Sequence, residues 1–571
     1  MFSTLARVAA VAAGSIAVAV GVLPAARAQT TVPAWQWATR GSNTGGYVTN
    51  NEAHQVQQDA AGNTYAYGRF SAQLTLVASP FFTSVPNSGF LVKYTPGGAL
   101  QWARHLQSPF VGVGVQRMVT DAAGNLYLAG SFANSLTLGS YVLADPAAPS
   151  AAAGRSNGFV LKLDALGNVL WGLRLAPEGS SASHHAYGTG LALDATGELV
   201  FSGCYEGAAD LAGTTFSPTA PNGYGLMLAR LGNLHTGTPV LRWARSAETT
   251  ARLLHVALAC DPAGDCYLAA DAPGAVRLEG TLLPASSPGA EIVLARYTSA
   301  GVLQWAQRPA TAVPGLLNAT SSVTDLVAPA PGTVCVLSET SRSYPNFYAR
   351  TLLAQYGAPG TTGWQYDDTT FSPTTHLTSL STDGRGTVYV VGYLTGGLMV
   401  RGQFFQSITP NASNGLLLAF SGRGTLHWGA VVSAGTGTER LYASALGSTG
   451  TLSVAGSARG PAQLGPFTLP SPGNFTQPLL GRLALPVITS MQAAASSLLQ
   501  LAPNPAHSAV ILTLPAAAAP QAFVLLDALG RPVRHYVVPA GATSARLDVA
   551  GLPAGLYVLR GAGASRKLVL E

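Results

Sequence analysis

One hairpin signal recurs seven times along this chain and limits what it can fold into more than any other feature. DAAGNTYAYG starts at Asp59, DAAGNLYLAG at Asp121, DATGELVFSG at Asp194, DPAGDCYLAA at Asp261 and DGRGTVYVVG at Asp383; degenerate copies start at Pro329 (PAPGTVCVLS) and Gly447 (GSTGTLSVAG). In each full copy Asp opens a tight turn and Gly takes the position that needs a positive φ. An alternating strand follows, so each copy predicts an antiparallel hairpin. Between the hairpins lies a second periodic element, an apolar strand: GFLVKY at 89–94, GFVLKL at 158–163, LMLARL at 226–231, IVLARY at 292–297, LLAQY at 352–356, LLLAF at 416–420 and LLGRL at 479–483. After six of these comes a strand carrying a tryptophan: Trp102, Trp171, Trp243, Trp305, Trp364 and Trp428.

The seventh unit, ending near Pro486, has no such strand. The N-terminal region has one to spare, Trp35-Gln36-Trp37-Ala38-Thr39-Arg40, with no hairpin before it. Seven three-strand sets and seven Trp strands, offset by one, predict a closed ring of four-stranded blades in which the N-terminal strand completes the last blade. Closure removes the exposed ends that an open array would have to cap. Trp37 is expected to fill the seventh Trp position, whereas Trp35 has no equivalent in the repeat and is expected to matter much less. Residues 31–486 resemble the bacterial β-propeller repeat family, the likeness lying in the run from GFLVKY through LQWAR to DAAGN. It is good in units one to four, weaker in six and poor in five and seven. It implies an all-β, seven-bladed propeller.

Outside the repeats, Arg7, an apolar run from Val8 to Leu23, Pro24 and Ala26-Arg27-Ala28 have the layout of an export signal over residues 1–28. Residues 487–499 carry no turn or repeat signal and read as a linker. Residues 500–571 form a different pattern: the Leu501-Ala-Pro-Asn-Pro505 opening, an Asp527-Ala-Leu-Gly-Arg531 turn, Leu552-Pro-Ala-Gly-Leu-Tyr557, and Arg566-Lys567 before the last strand. These short alternating strands predict a small C-terminal β-sandwich. The four motifs, in that order and ending at the terminus, resemble the type A C-terminal sorting domain of type IX secretion cargo. The resemblance implies handling by the type IX machinery, removal of the domain, and a body left on the outer cell surface or released.

Composition narrows the functions. The net charge of +6 is spread over the chain, with only Lys93, Lys162 and Lys567 as lysines and no basic cluster, so nucleic acid is not an expected partner. The D-x-x-G-N turns supply one carboxylate each and lack a calcium ladder; there is no CxxC pair for zinc, and no G-x-S-x-G, H-E-x-x-H, P-loop or dinucleotide fingerprint. No cofactor, metal or catalytic residue is therefore expected. Cys260 and Cys266 flank a turn on paired strands, within reach of a disulfide, while Cys204 and Cys335 lie in separate units. The Trp positions, once per unit, read as packing between blades.

Histidines are the versatile residues with some clustering. His54, His184, His185, His255 and His376 all fall shortly before the first strand of a unit, and Glu52 and Tyr187 fall in the same zone. In a propeller that strand lines the central channel, so His54, His185, Tyr187, His255 and His376 are candidate ligand-binding groups at its mouth; the plainer reading is solvated loop residues. Carboxylates are scarce. The expected function is a secreted or surface-displayed binding or adhesion module taking a glycan or protein ligand. The alternatives are a secreted enzyme acting on glycans at the channel mouth and a structural surface-layer component.

Overall fold

The computed structural model describes residues 34–485 and 500–571, apart from short segments at 43–50, 77–78, 83–87, 110–111, 148–154, 180–183, 220–222, 236, 254, 286–291, 310–319, 343–347, 358–360, 368–374, 409–411, 433–436, 472, 474, 515–519, 528–530 and 562–563. The expected export signal (1–28) and linker (487–499) lie outside the described residues. The chain divides into two compact units, 1–486 and 487–571. Both are all-β, and no helix occurs among the described residues. Among them, accordingly, no helix is long and apolar enough to cross a membrane.

In the first unit every pairing is antiparallel. Sheet one runs Glu52–Gln58, Thr64–Phe70, Ser88–Tyr94, Leu100–Gln107 in order, and sheets two to six repeat this hairpin-by-hairpin order, opening with the inner strands Gly114–Thr120, Ala186–Leu193, Val256–Cys260, Thr320–Ala330 and Thr375–Thr382. The seventh sheet has the order Thr438–Leu446, Thr451–Arg459, Thr476–Ala484 and then Ala34–Arg40, so the N-terminal strand supplies its fourth member. Trp37 pairs with Arg482 and Arg40 with Leu479. The inner strand of each sheet touches that of the next, and Thr438–Leu446 touches Glu52–Gln58, the first.

The repeat residues explain how the sheets form and join. In the second turn Asp121 Oδ1 accepts the amides of Ala123 (3.0 Å) and Asn125 (2.9 Å), and its Oδ2 accepts Asn125 Nδ2 (2.8 Å) and the Tyr127 hydroxyl (3.0 Å), with Gly124 at φ +78°. The aspartate thus caps the turn and fixes the first aromatic of the next strand. The apolar third strand is buried at every residue in Ser88–Tyr94 and Asn414–Phe420, as a strand covered on both faces must be. Its basic residue reaches the neighbouring sheet: Lys93 Nζ donates to Ala165 O (3.0 Å), Lys162 Nζ to Leu234 O (2.7 Å), and Arg482 to Gly62 O.

Four of the tryptophans do the same from the fourth strand, whereas the indole nitrogens of Trp171, Trp305 and Trp428 are buried without a hydrogen-bond partner. Trp102 Nε1 donates to Ala165 O (3.1 Å), Trp243 Nε1 to Ser299 O (3.0 Å) and Trp364 Nε1 to Gly422 O (3.0 Å). Trp37 Nε1 makes the matching bond from the seventh sheet to Pro96 O of the first (3.2 Å), over Gly98, where a Cβ would meet the indole at 2.6 Å. A stitch on the outer edge repeats too. The hairpins at Ser135–Ala144, Ala209–Phe216 and Val276–Leu283 each pair with the fourth strand of the preceding sheet, and Thr75 of the first such hairpin bridges to Ser42, just after the N-terminal strand.

Trp35, which has no equivalent in the repeat, is half-buried and packs over Gly465 and Gly481, where added Cβ atoms would meet its ring at 2.4 and 2.6 Å. One expectation is corrected here. Cys260 and Cys266 do lie directly opposite each other, but both are thiols, as are Cys204 and Cys335. Cys266 Sγ faces the Gly264 carbonyl at 3.8 Å instead of closing a bridge.

The second unit has two sheets. One contains Gln500–Ala502, Ala509–Thr513 and Ser544–Asp548; the other has the order Pro532–Val538, Gln521–Leu526, Gly555–Gly561, Ala564–Leu570. Val510, Leu512, Phe523, Leu525, Leu547, Tyr557 and Leu568 fill the space between them. The motif residues tie the ends together. Asn504 donates to Lys567 O and accepts the Val569 amide, both at 2.8 Å, and Tyr557 donates to Pro553 O (2.8 Å).

Candidate functional site

All seven inner strands contribute walls to one cavity of about 610 Å³. Six of them carry the same irregularity. The register of the inner hairpin skips one residue at His54, Gln116, Thr189, Thr324, Thr378 and Tyr442. Each is the fifth residue before the turn position, Asp59, Asp121, Asp194, Pro329, Asp383 and Gly447 respectively. A bulge of this kind leaves one residue out of the ladder and re-aims its side chain. Five of the six, all but His54, line the cavity. Only Val256–Cys260, in sheet four, pairs without a skip.

The cavity is crossed by an ion pair. Arg117 of sheet two reaches Asp325 of sheet five, whose carboxylate is only 4% exposed. Asp325 Oδ2 also accepts the Leu380 amide of sheet six at 2.8 Å. The pair ties together strands that are not neighbours.

At the start of the inner strands lie three groups. In the first, the His54 ring stacks on Tyr442 (centroids 5.6 Å apart), Tyr442 meets Tyr393 edge-on (6.4 Å), and Tyr393 packs against His376 (5.0 Å). Carboxylates sit at the two ends of this arc. Glu52 Oε1 accepts the Tyr442 hydroxyl (3.3 Å), and Glu339 Oε2 lies 3.3 Å from His376 Nδ1. Burial raises the Glu52 pKa. Burial, aided by Arg69, lowers that of His54 to about 4. The 3.5 Å contact between them is therefore a neutral imidazole beside a carboxyl at neutral pH. Arg440 lies over the Tyr393 ring at 5.1 Å.

In the second group His185 stacks on Tyr187 (6.0 Å), and Arg252 lies over the other partner's ring, Tyr187, at 5.7 Å while donating to its hydroxyl (3.2 Å). His184, the neighbouring candidate, turns to the Glu178 carbonyl at 2.9 Å. The third group is His255 with Asp271 (2.8 Å) and Ser322 (3.0 Å). The bond to Asp271 raises the His255 pKa. These three residues are those of a nucleophilic triad, but the geometry is wrong for one. Ser322 and Asp271 both meet Nδ1, whereas a serine nucleophile needs its base at the opposite ring nitrogen. Asp271 also accepts the Val323 amide (2.5 Å), so it braces sheet four against sheet five.

The structure thus joins His54 to His376 through two tyrosines, His185 to Tyr187, and leaves His255 with its own partners. Tyr187, Arg252, His255 and Tyr442 share the cavity wall. Sequence reading missed Tyr442, Tyr393, Arg252 and the Arg117–Asp325 pair. Tyr442 carried a usable signal, since it holds the same place before its turn as His54; the others are joined only across sheets. Among the described residues no cluster of His, Cys, Asp and Glu could hold a metal ion.

Residues 500–570 match the family described as "Secretion system C-terminal sorting domain". A sorting tail of this type marks the chain as secreted, at the cell surface or outside the cell, through the type IX system. No curated protein matches the sequence. Solved structures similar to it include a fungal alcohol oxidase of the AA5 family in complex with copper (12% identity, 94% of this chain and 99% of that one, TM-score 0.36). Others are a protein of unknown function from Dyadobacter fermentans (12%, 79% and 99%, 0.34) and an exotype rhamnogalacturonan lyase (11%, 77% and 74%, 0.33). Likeness at this level says nothing about activity.

Proposed function

We propose that the chain is a seven-bladed β-propeller, exported with a cleaved signal at 1–28, joined by a linker at 487–499 to its sorting domain, and working as a saccharide-binding module without catalysis. Support for closed blades comes from the Trp37–Pro96 bond, the Thr75–Ser42 bridge and the pairing of Ala34–Arg40 with Thr476–Ala484, which match the contacts within the other units.

The observation that carries the binding reading is the arc of ring faces from His54 through Tyr442 and Tyr393 to His376 beside the cavity. Flat rings edged by hydrogen-bonding groups suit the apolar faces and hydroxyls of a sugar. Glycoside hydrolysis asks for two carboxyl groups roughly 5–10 Å apart. Glu52 is held by the Tyr442 hydroxyl, Glu339 by His376 and Asp325 by Arg117, so each of these carboxyl groups near the cavity already has a partner.

The test is a glycan screen on the full-length chain, followed by Tyr442→Ala and Tyr393→Ala. Saccharide binding that both variants weaken supports the reading. Binding accompanied by release of new sugar ends would turn it toward an enzyme, and a screen with no bound saccharide would reject it.

A further inference from the structure

The charges of the cavity wall do not balance. Among the described lining residues the basic groups are Arg117, paired with Asp325, His255, paired with Asp271 just outside the wall, and Arg252. Asp325 is already bonded to Arg117 and to the Leu380 amide. Arg252 is different. It is exposed, it has no carboxylate within ion-pair distance among the described residues, and its contacts are with the hydroxyl and ring face of Tyr187. Stacking fixes the plane of the guanidinium and the bond to the hydroxyl uses one N–H, which leaves the remaining donors for an anion. His255 lies on the same wall, and Arg440 holds a matching stacked position over Tyr393 on the arc.

From this we infer that the cavity selects an anionic saccharide, one bearing a carboxylate or sulfate group, with Arg252 as the residue that recognises the anion. The inference rests on the saccharide-binding reading and narrows it. An arginine held on an aromatic ring and unpaired with any acid is suited to a two-pronged bond with a carboxylate. Lysine at this position would keep the charge but lose the fork.

Affinity is measured on the full-length chain by calorimetry against three oligosaccharides of equal length: a galacturonate oligomer, a sulfated galactose oligomer and a neutral galactose oligomer. The expected result is that at least one anionic oligomer binds roughly tenfold or more tightly than the neutral one. That preference should shrink as salt is raised. Arg252→Gln should remove most of the preference, and Arg252→Lys should keep only part of it. Preference for the uronate or for the sulfate identifies which anion is read. Equal binding of all three, or a preference that survives Arg252→Gln, overturns the inference and leaves saccharide binding standing. No binding of any of the three, with no hit in the wider screen, removes both.

Discussion

Replacing Trp37 by Ala tests whether the N-terminal strand closes the ring. The indole is 5% exposed, stacks on Tyr94 at 5.6 Å and donates to Pro96 O at 3.2 Å, and both partners belong to sheet one. Truncation removes a buried aromatic, its stacking and one hydrogen bond, and leaves a cavity over Gly98. Together these place the cost at about 3–5 kcal/mol. Backbone pairing survives the substitution. Deleting residues 34–40 also strips the ladder from Leu479–Ala484 and should cost more. Trp35→Ala falls between the parent and Trp37→Ala, at about 2 kcal/mol, because its ring is half-buried. Trp102→Ala is the internal control, since Trp102 makes the same bond between sheets one and two. For a unit of this size each kcal/mol moves the melting temperature by roughly 1 °C. Thermal unfolding followed by circular dichroism should therefore show Trp37→Ala and Trp102→Ala lowered alike, and the deletion lowered further. If Trp37→Ala and the deletion both melt with the parent while Trp102→Ala does not, the strand is ornamental and the units form an open array.

Deleting residues 501–571 should leave the chain in the periplasm, as cell fractionation would read; normal surface display would show that the tail is not the address. Glu439 is fully buried and its pKa is pushed up to about 7, chiefly by burial. A raised folded value means that the stability it allows is present below the unfolded value near 4.5 and is lost as pH rises through 7. Glu439→Gln should therefore match the parent near pH 4 and exceed it by roughly 3 kcal/mol at pH 8, measured by denaturant unfolding. Asp325→Ala, which strands Arg117 without its counter-charge and frees the Leu380 amide, should cost about 3 kcal/mol. Adding Arg117→Met should restore much of that loss, and additive losses would show that the pair is not coupled.

The fold was legible because its signals are local and repeated. An aspartate that caps its own turn recurs in five of the seven units, and a third strand buried on both faces leaves its mark beside it. The offset between hairpins and Trp strands then carried information about pairing between the two ends of the first unit, which periodicity seldom does. What joins the sheets was less visible. The Lys or Arg of the third strand bonds a carbonyl of the neighbouring sheet, yet in sequence it reads as one charge in an apolar run. The packing of Trp35 was hidden for a similar reason, since its partners Gly465 and Gly481 lie far away along the chain. The histidine zone lies at one end of the inner strands, but the sequence gave no directions for its side chains. Those depend on the bulge, and its residue is found only by counting five back from the turn.

That count suggests how such a site is assembled. The turn and the buried third strand recur from sheet to sheet, and in six of the seven sheets the bulge falls at the same count from the turn. The bulged residue itself differs from sheet to sheet: His54, Gln116, Thr189, Thr324, Thr378 and Tyr442. Each of these inner strands therefore offers one interchangeable side chain at the same level. The neighbouring residue toward the turn is Arg117 in sheet two and Asp325 in sheet five, and these two meet across the cavity. A substitution at one of the five bulges that line the cavity should change what the cavity accepts, whereas one at Arg117 or Asp325 should loosen the walls. The residues that choose the ligand and those that hold the walls together thus lie one place apart on the same strands.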